Sequence, residues 1–299
     1  MKKKTIVIGT IILFLCGLLI FLLPTLTDTY YSFKNQQIIT SFKKTYTKSE
    51  NSTVAQNDKL DDHLYQQMLQ YNTQLFQNQQ QVIQDPFAFA QSDFNLSDFG
   101  IKDQLIGYIQ IPRMDIELPI YLGASEQHME KGIAQLGQTS FPIGGNHTNT
   151  VLAGHRGAKY QKMFRDIEQL QQNDILYITN FWETLSYEVE DVKIVEPSQI
   201  NEVFIQENRD MLTLMTCHPY PTSEVRYLVY CKRIETPTSE VEIQNQQTWS
   251  QNTSKTSTIL HVENNIRTYI SYALLIIFML LIVRLIHRKR KNKKQSTYT

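Results

Sequence analysis

The chain has 299 residues; its 41% hydrophobic content excludes a wholly disordered protein, and 11 Gly and 9 Pro exclude collagen-like and low-complexity classes. Its 29 basic and 29 acidic side chains are segregated: Lys2, Lys3 and Lys4 open the sequence, and Arg284, Arg288, Lys289, Arg290, Lys291, Lys293 and Lys294 crowd its end. Without those ten, the middle keeps 19 basic against 29 acidic groups, about −10 net, which argues against non-specific nucleic-acid binding.

After the basic start at 1–4, residues 5–23 form 19 uncharged positions bounded by Pro24. That length crosses a hydrocarbon core of about 30 Å. A cleaved signal peptide shows the same basic-then-apolar order. The run exceeds a usual signal core, however, and Pro24-Thr25-Leu26-Thr27 is a poor small-x-small cleavage site, so an uncleaved anchor is expected. Residues 24–84 read as a helical stalk. Leu60, Leu64, Met68, Tyr71, Leu75 and Phe76 recur at helical spacings, which predicts one or two amphipathic helices packed on a main domain. Asp85-Pro86 ends the helical pattern, and 85–104 reads as a connecting loop with Phe87, Phe89, Phe94 and Phe99 as apolar pegs.

The main domain is expected over 105–235. Strands are predicted at 106–112, 116–122, 150–154, 174–179, 184–195, 211–216 and 226–233, a short helix or turn at 126–131 and a helix at 163–170. Short strands at this spacing with few helices predict a mostly antiparallel β-barrel. A polar linker, 236–267, leads to 15 uncharged residues at 269–283. These span a membrane as 268–286 if Arg284 and His287 snorkel. The basic tail, 287–299, then looks like a stop-transfer signal; a solvated tail is the plain alternative. Basic flanks at both ends predict both termini inside and a two-pass topology, with the domain on the extracellular face. Cys16 falls in the first span, leaving Cys217 and Cys231 outside, too few for a disulfide-rich scaffold.

A thiol attacks only as thiolate, so a nucleophilic cysteine needs a nearby cation or base. Cys217 closes the apolar run Leu212-Thr213-Leu214-Met215-Thr216 and precedes His218-Pro219-Tyr220-Pro221, which cannot continue as a central strand. His155 sits at another strand end, between Gly154 and Arg156-Gly157, where glycine permits close approach of a substrate backbone. Arg226 starts the strand after Cys217, and an arginine can hold the charge of a tetrahedral intermediate. Three strand ends carrying His155, Cys217 and Arg226 make a candidate acyl-transfer site. A buried cysteine acting as a small hydrophobe and a satisfied core histidine are the bland alternatives.

Thr213-Leu214-Met215-Thr216-Cys217-His218-Pro219-Tyr220, with Arg226 downstream, resembles the sortase signature, a TLxTC run followed by arginine. Leu152-Ala153-Gly154-His155-Arg156-Gly157 resembles the sortase histidine motif. Gly107-Tyr108-Ile109-Gln110-Ile111-Pro112 and Leu118-Pro119-Ile120-Tyr121-Leu122-Gly123 are similar to that family's early strands. The second apolar segment and Asp85-Pro86-Phe87 resemble the class C, pilus-assembling group, whose lid motif precedes the barrel. His218 stands where class C usually has Thr or Ser. The resemblance implies an eight-stranded sortase-type barrel, preceded by N-terminal helices and flanked by two transmembrane helices. It implies a cysteine transpeptidase of a Gram-positive cell membrane that needs no cofactor or metal. Cys217 would cleave an LPxTG-like sorting signal of a pilin or surface protein, His155 would serve as acid and then base, and Arg226 would bind the oxyanion. A pilin lysine or cell-wall peptide amine would accept the acyl group, and Asp85, Pro86 and Phe87 would form the lid. Other readings stay open: a housekeeping-type or accessory sortase, a catalytically silent scaffold, a cysteine protease ending in hydrolysis, His218 as base, Cys231 as nucleophile, or zinc held by His147, His155 and His218.

Overall fold

The computed structural model describes residues 2–46, 57–78, 94–156, 162–220 and 222–236. The expected lid residues Asp85, Pro86 and Phe87 and the expected second span, 268–286, lie outside the described residues. Contacts divide the chain into one unit containing Met1–Thr27 and another, Asp28–Ser250.

The first unit holds the start of helix α1, Lys2–Tyr46. This helix runs through Pro24 instead of stopping there. Proline removes one amide donor from the ladder, and on the next turn Thr27 Oγ1 donates to the Leu23 carbonyl at 2.9 Å. Ile12, Leu13, Leu19 and Ile20 stand exposed. The helix is long and apolar enough to cross a membrane.

The second unit is built on eight strands: β1 Leu105–Ile111, β2 Ile116–Leu122, β3 Ile133–Gln135, β4 Thr148–Ala153, β5 Ile175–Thr179, β6 Thr184–Val195, β7 Asp210–His218 and β8 Val225–Ile234. They close a barrel in the order β1-β2-β3-β4-β7-β8-β6-β5. The sheet is antiparallel except at two seams, β2/β3 and β4/β7, which are parallel. Parallel neighbours need a crossover rather than a hairpin. β2 reaches β3 through a short helix, Glu126–Lys131, and β4 reaches β7 only after β5 and β6.

Side chains alternate across a strand, and the strands sort them into two layers. Ile109, Ile120, Leu152, Leu176, Leu212, Leu214, Val229 and Cys231 belong to the main core that fills the barrel. Val151, Ala153, Met211, Met215, Leu228 and Tyr230 form a second cluster on the outer side of β4, β7 and β8, together with Met129 of the crossover helix and Val203. The rest of α1 and helix α2, Asn57–Gln77, extend the main core with Ile39, Phe42, Leu64 and Met68. Polar contacts fix both helices: Lys43 Nζ lies 2.8 Å from Glu117 Oε1, and buried Asn72 accepts from Phe141 N at 2.8 Å.

The helix predicted at 163–170 forms as tight turns with a short 3-10 segment, Ile167–Gln169. The Phe164 amide donates to the His155 carbonyl, and the Arg165, Ile167 and Gln169 amides each reach back three residues. The segment thus serves the end of β4 rather than an α-helical ladder.

Candidate active site

The register sets Cys217 of β7 directly opposite Arg226 of β8. Directly opposed residues share a face, with Cα atoms about 4.5–5.5 Å apart. That face is the outer one. Arg226 continues the row of Leu228 and Tyr230, and Cys217 continues the row of Met211 and Met215. His155 lies two residues past Ala153 in the row of Val151 and Ala153, and Ala153 is paired with Met215 in the parallel β4/β7 ladder. The three rows run side by side and reach the same end of the sheet. The backbone bond from Gly154 N to Met215 O at 3.0 Å and the bond donated by the Thr216 hydroxyl to Gly154 O at 2.7 Å hold the ladder together up to that end.

Each group has a defined setting. Cys217 is half-buried and outside any disulfide. Arg226 Nη1 donates to the carbonyls of Ser223 and Val225 at 3.1 and 3.2 Å, which anchors the guanidinium to the turn between β7 and β8. His155 is half-buried, and burial lowers its pKa below the ordinary histidine value; Glu130 and then Glu126 pull it back up. A lowered pKa makes the imidazolium a stronger acid.

Gly154 serves a different purpose from the expected approach of a substrate. A Cβ placed there would lie 2.6 Å from Phe164 Cδ2 and 3.0 Å from Ile133 Cγ2. The glycine therefore admits the buried Phe164 ring, whose own amide holds the His155 carbonyl at 3.1 Å.

Of the other candidates, His147 Nδ1 accepts from Asn208 N at 3.0 Å, and its ring stacks on Phe76. Cys231 is fully buried among the main core residues, and burial pushes its thiol pKa well up, which disfavours the thiolate. His218 reaches Arg156, Glu168 and Tyr227. Sequence reasoning passed over Arg156 and Glu168. The available signal was adjacency: Arg156 follows His155 and His218 follows Cys217. A cleft of about 580 Å³ lies beside the crossover helix, lined by Phe94, Gln104, Leu122, Glu126 and His128 among others. It includes none of the three strand-end residues.

The sequence matches the family model for the sortase domain over residues 109–234. It is 29% identical over 134 residues to sortase D of Bacillus subtilis (strain 168), covering 44% of this chain and 65% of that relative, just under two thirds of its length. Among solved structures, sortase C1 of GBS pilus island 1 matches with a TM-score of 0.60 and 28% identity, over 69% of this chain and 95% of that one. Sortase C from Clostridium perfringens SM101 matches with a TM-score of 0.54 and 30% identity, over 67% and 99%.

Proposed function

This chain belongs to the sortase family, and from that premise we propose that it is a membrane-anchored cysteine transpeptidase of the class C, pilus-assembling kind. The observation that carries this reading is the register that sets Cys217 against Arg226, with the row of His155 on the same outer face. The class C assignment draws on the solved structures it resembles, which are class C sortases, and on the two helices packed against the barrel. The proposed substrate is an LPxTG-like sorting signal of a pilin or surface protein.

The Cys217 thiolate attacks the threonine carbonyl carbon of the Thr–Gly bond. The oxygen takes up the negative charge, and the Arg226 guanidinium donates to it. As the C–N bond breaks, the His155 imidazolium gives its proton to the departing glycine amine, leaving a Cys217 thioester. An amine from a pilin lysine or a cell-wall peptide then attacks the thioester. His155 takes the amine's proton, the C–S bond breaks and the thiolate returns. Asp85, Pro86 and Phe87 are proposed as a lid over this site. Proline stiffens such a turn, and an acid beside an aromatic ring can occupy a cleft as a substrate does. Replacing Asp85 and Phe87 with Ala should speed labelling of Cys217, and unchanged labelling with an intact fold would retire the lid.

The test of the function is to incubate the full-length protein in detergent with sorting-signal peptides and trap the acyl-enzyme by mass spectrometry. Cys217→Ala should abolish the adduct, and His155→Ala and Arg226→Ala should each lower turnover by roughly 100-fold or more. Transpeptidation that survives Cys217→Ala would refute the proposal. An adduct that yields only hydrolysis product with amine acceptors present would favour a protease instead.

A further inference from the structure

His218 follows Cys217 within β7, so alternation turns it away from the outer face that carries Cys217, and Arg156 follows His155 in the bend after β4. Their side chains meet. Arg156 Nη1 is hydrogen-bonded to His218 Nδ1. Arg156 Nη2 pairs with Glu168 Oε1 at 2.5 Å, and His218 Nδ1 lies 3.4 Å from that same oxygen. The Tyr227 ring flanks both, with its centroid 5.6 Å from the imidazole and 5.8 Å from the guanidinium carbon. Arg156 and His218 are well shielded, with side chains 10% and 20% exposed, while the Glu168 side chain is 52% exposed.

The position of this cluster matters more than its size. The β4/β7 ladder ends with the pair Ala153 and Met215. His155 and Cys217 both lie two residues beyond that last pair, so regular pairing does not fix their separation. Arg156 and His218 bridge the same two chain ends from the other side. Glu168 ties the bridge to the turn whose Phe164 amide holds the His155 carbonyl.

We infer that Arg156, His218 and Glu168 form a clamp that sets the separation of His155 and Cys217, and that all three are positioning residues for the transfer reaction. The inference rests on the proposed roles of Cys217 and His155. A guanidinium has donors and no acceptor, so His218 Nδ1 is the acceptor in its bond with Arg156. The charged and titratable groups that face His218 are Arg156 from the end of β4, Glu168 from the 3-10 turn and Tyr227 from β8.

The experiment measures kcat and KM for transpeptidation of an LPxTG-type peptide to an amine acceptor, with full-length protein in detergent and folding checked by thermal melting. A displacement of about 1 Å at the reacting atoms can cost up to ~100-fold, so a partial release should lower kcat about tenfold in His218→Ala and in Arg156→Ala, with KM nearly unchanged. The double variant should be no slower than the slower single one. His218→Asn places an oxygen near the position of Nδ1 and should recover most of kcat. Arg156→Gln serves as a milder variant should Arg156→Ala melt early. Wild-type kcat in His218→Ala, with Cys217→Ala inactive, overturns the clamp and leaves the site standing. Additive losses that Asn does not rescue also overturn it. Turnover that survives in Cys217→Ala removes the site and the clamp together.

Discussion

Replacing Gly154 by alanine tests whether the backbone at the end of β4 is shaped by Phe164. The new Cβ would meet Phe164 Cδ2 at 2.6 Å, Phe164 Cε2 at 2.9 Å and Ile133 Cγ2 at 3.0 Å. Phe164 and Ile133 are both fully buried, so neither has a flexible end to swing into solvent. Overpacking a filled core costs about 1–3 kcal/mol. For a unit of this size each kcal/mol lowers the melting temperature by about 2–4 °C, so a fall of about 4–8 °C is expected for a 2 kcal/mol loss. The functional effect should be larger than the thermal one, because the Phe164 amide holds the His155 carbonyl at 3.1 Å and any shift of Phe164 moves His155. The assay pairs calorimetry with transpeptidation and adds the double variant Gly154→Ala, Phe164→Leu, in which the smaller side chain vacates the space. The double variant should be more stable than the sum of the single changes, a coupling that contact residues show and distant ones do not. A Gly154→Ala protein with wild-type stability and turnover would refute the packing argument. So would strictly additive single and double changes.

Asn72→Leu should destabilise the barrel by about 1–3 kcal/mol in denaturant titrations, because it leaves the buried Phe141 amide without the acceptor it has at 2.8 Å. In native protein iodoacetamide should modify Cys217 well before Cys231, which is fully buried with its thiol pKa pushed up; equal rates by peptide mapping would contradict the core placement of Cys231. Glu130 opposes the burial that lowers the His155 pKa, so Glu130→Gln should lower it further and move the histidine limb of the pH–rate profile to lower pH. The same shift has a stability consequence. A histidine whose folded pKa is depressed binds fewer protons folded than unfolded, so its contribution is present above about pH 6.5 and is lost as pH falls through the folded value. His155→Gln should therefore flatten the acid side of the pH–stability curve, and an unchanged acid slope would count against burial as the cause.

The strand pattern was legible because alternation and short apolar runs mark strands locally, and β6, predicted at 184–195, forms as Thr184–Val195. The parallel seams were not legible. That β4 takes β7 as its second neighbour, besides β3, is settled by long-range packing, and the β4/β7 pairing joins residues about sixty positions apart. The helix predicted at 163–170 failed because apolar spacing cannot reveal that the Phe164 amide is drawn to His155. Pro24 is a reasonable stop signal in a soluble helix, yet a long apolar helix tolerates the loss of one ladder bond. The role of His218 was invisible for a related reason: its partners, Arg156 and Glu168, are 62 and 50 residues away in sequence.

Barrel geometry explains why the candidate residues gather on the outer face. An eight-stranded barrel is just wide enough for its own side chains to fill, and here Leu152, Leu212, Leu214, Val229 and Cys231 occupy that space with almost no exposure. A peptide substrate has no room inside, so reacting groups must stand on outward rows, at strand ends where pairing stops and loops leave the sheet. Side-chain alternation then joins two demands that a single strand end must meet. One parity, with His155, Cys217 and Arg226, is the one that would face the proposed substrate. The other, with Arg156 and His218, faces inward and is available to hold the ends in place. A substitution at either parity reaches the other through one peptide bond, so specificity changes at position 218 should appear in kcat before they appear in substrate binding.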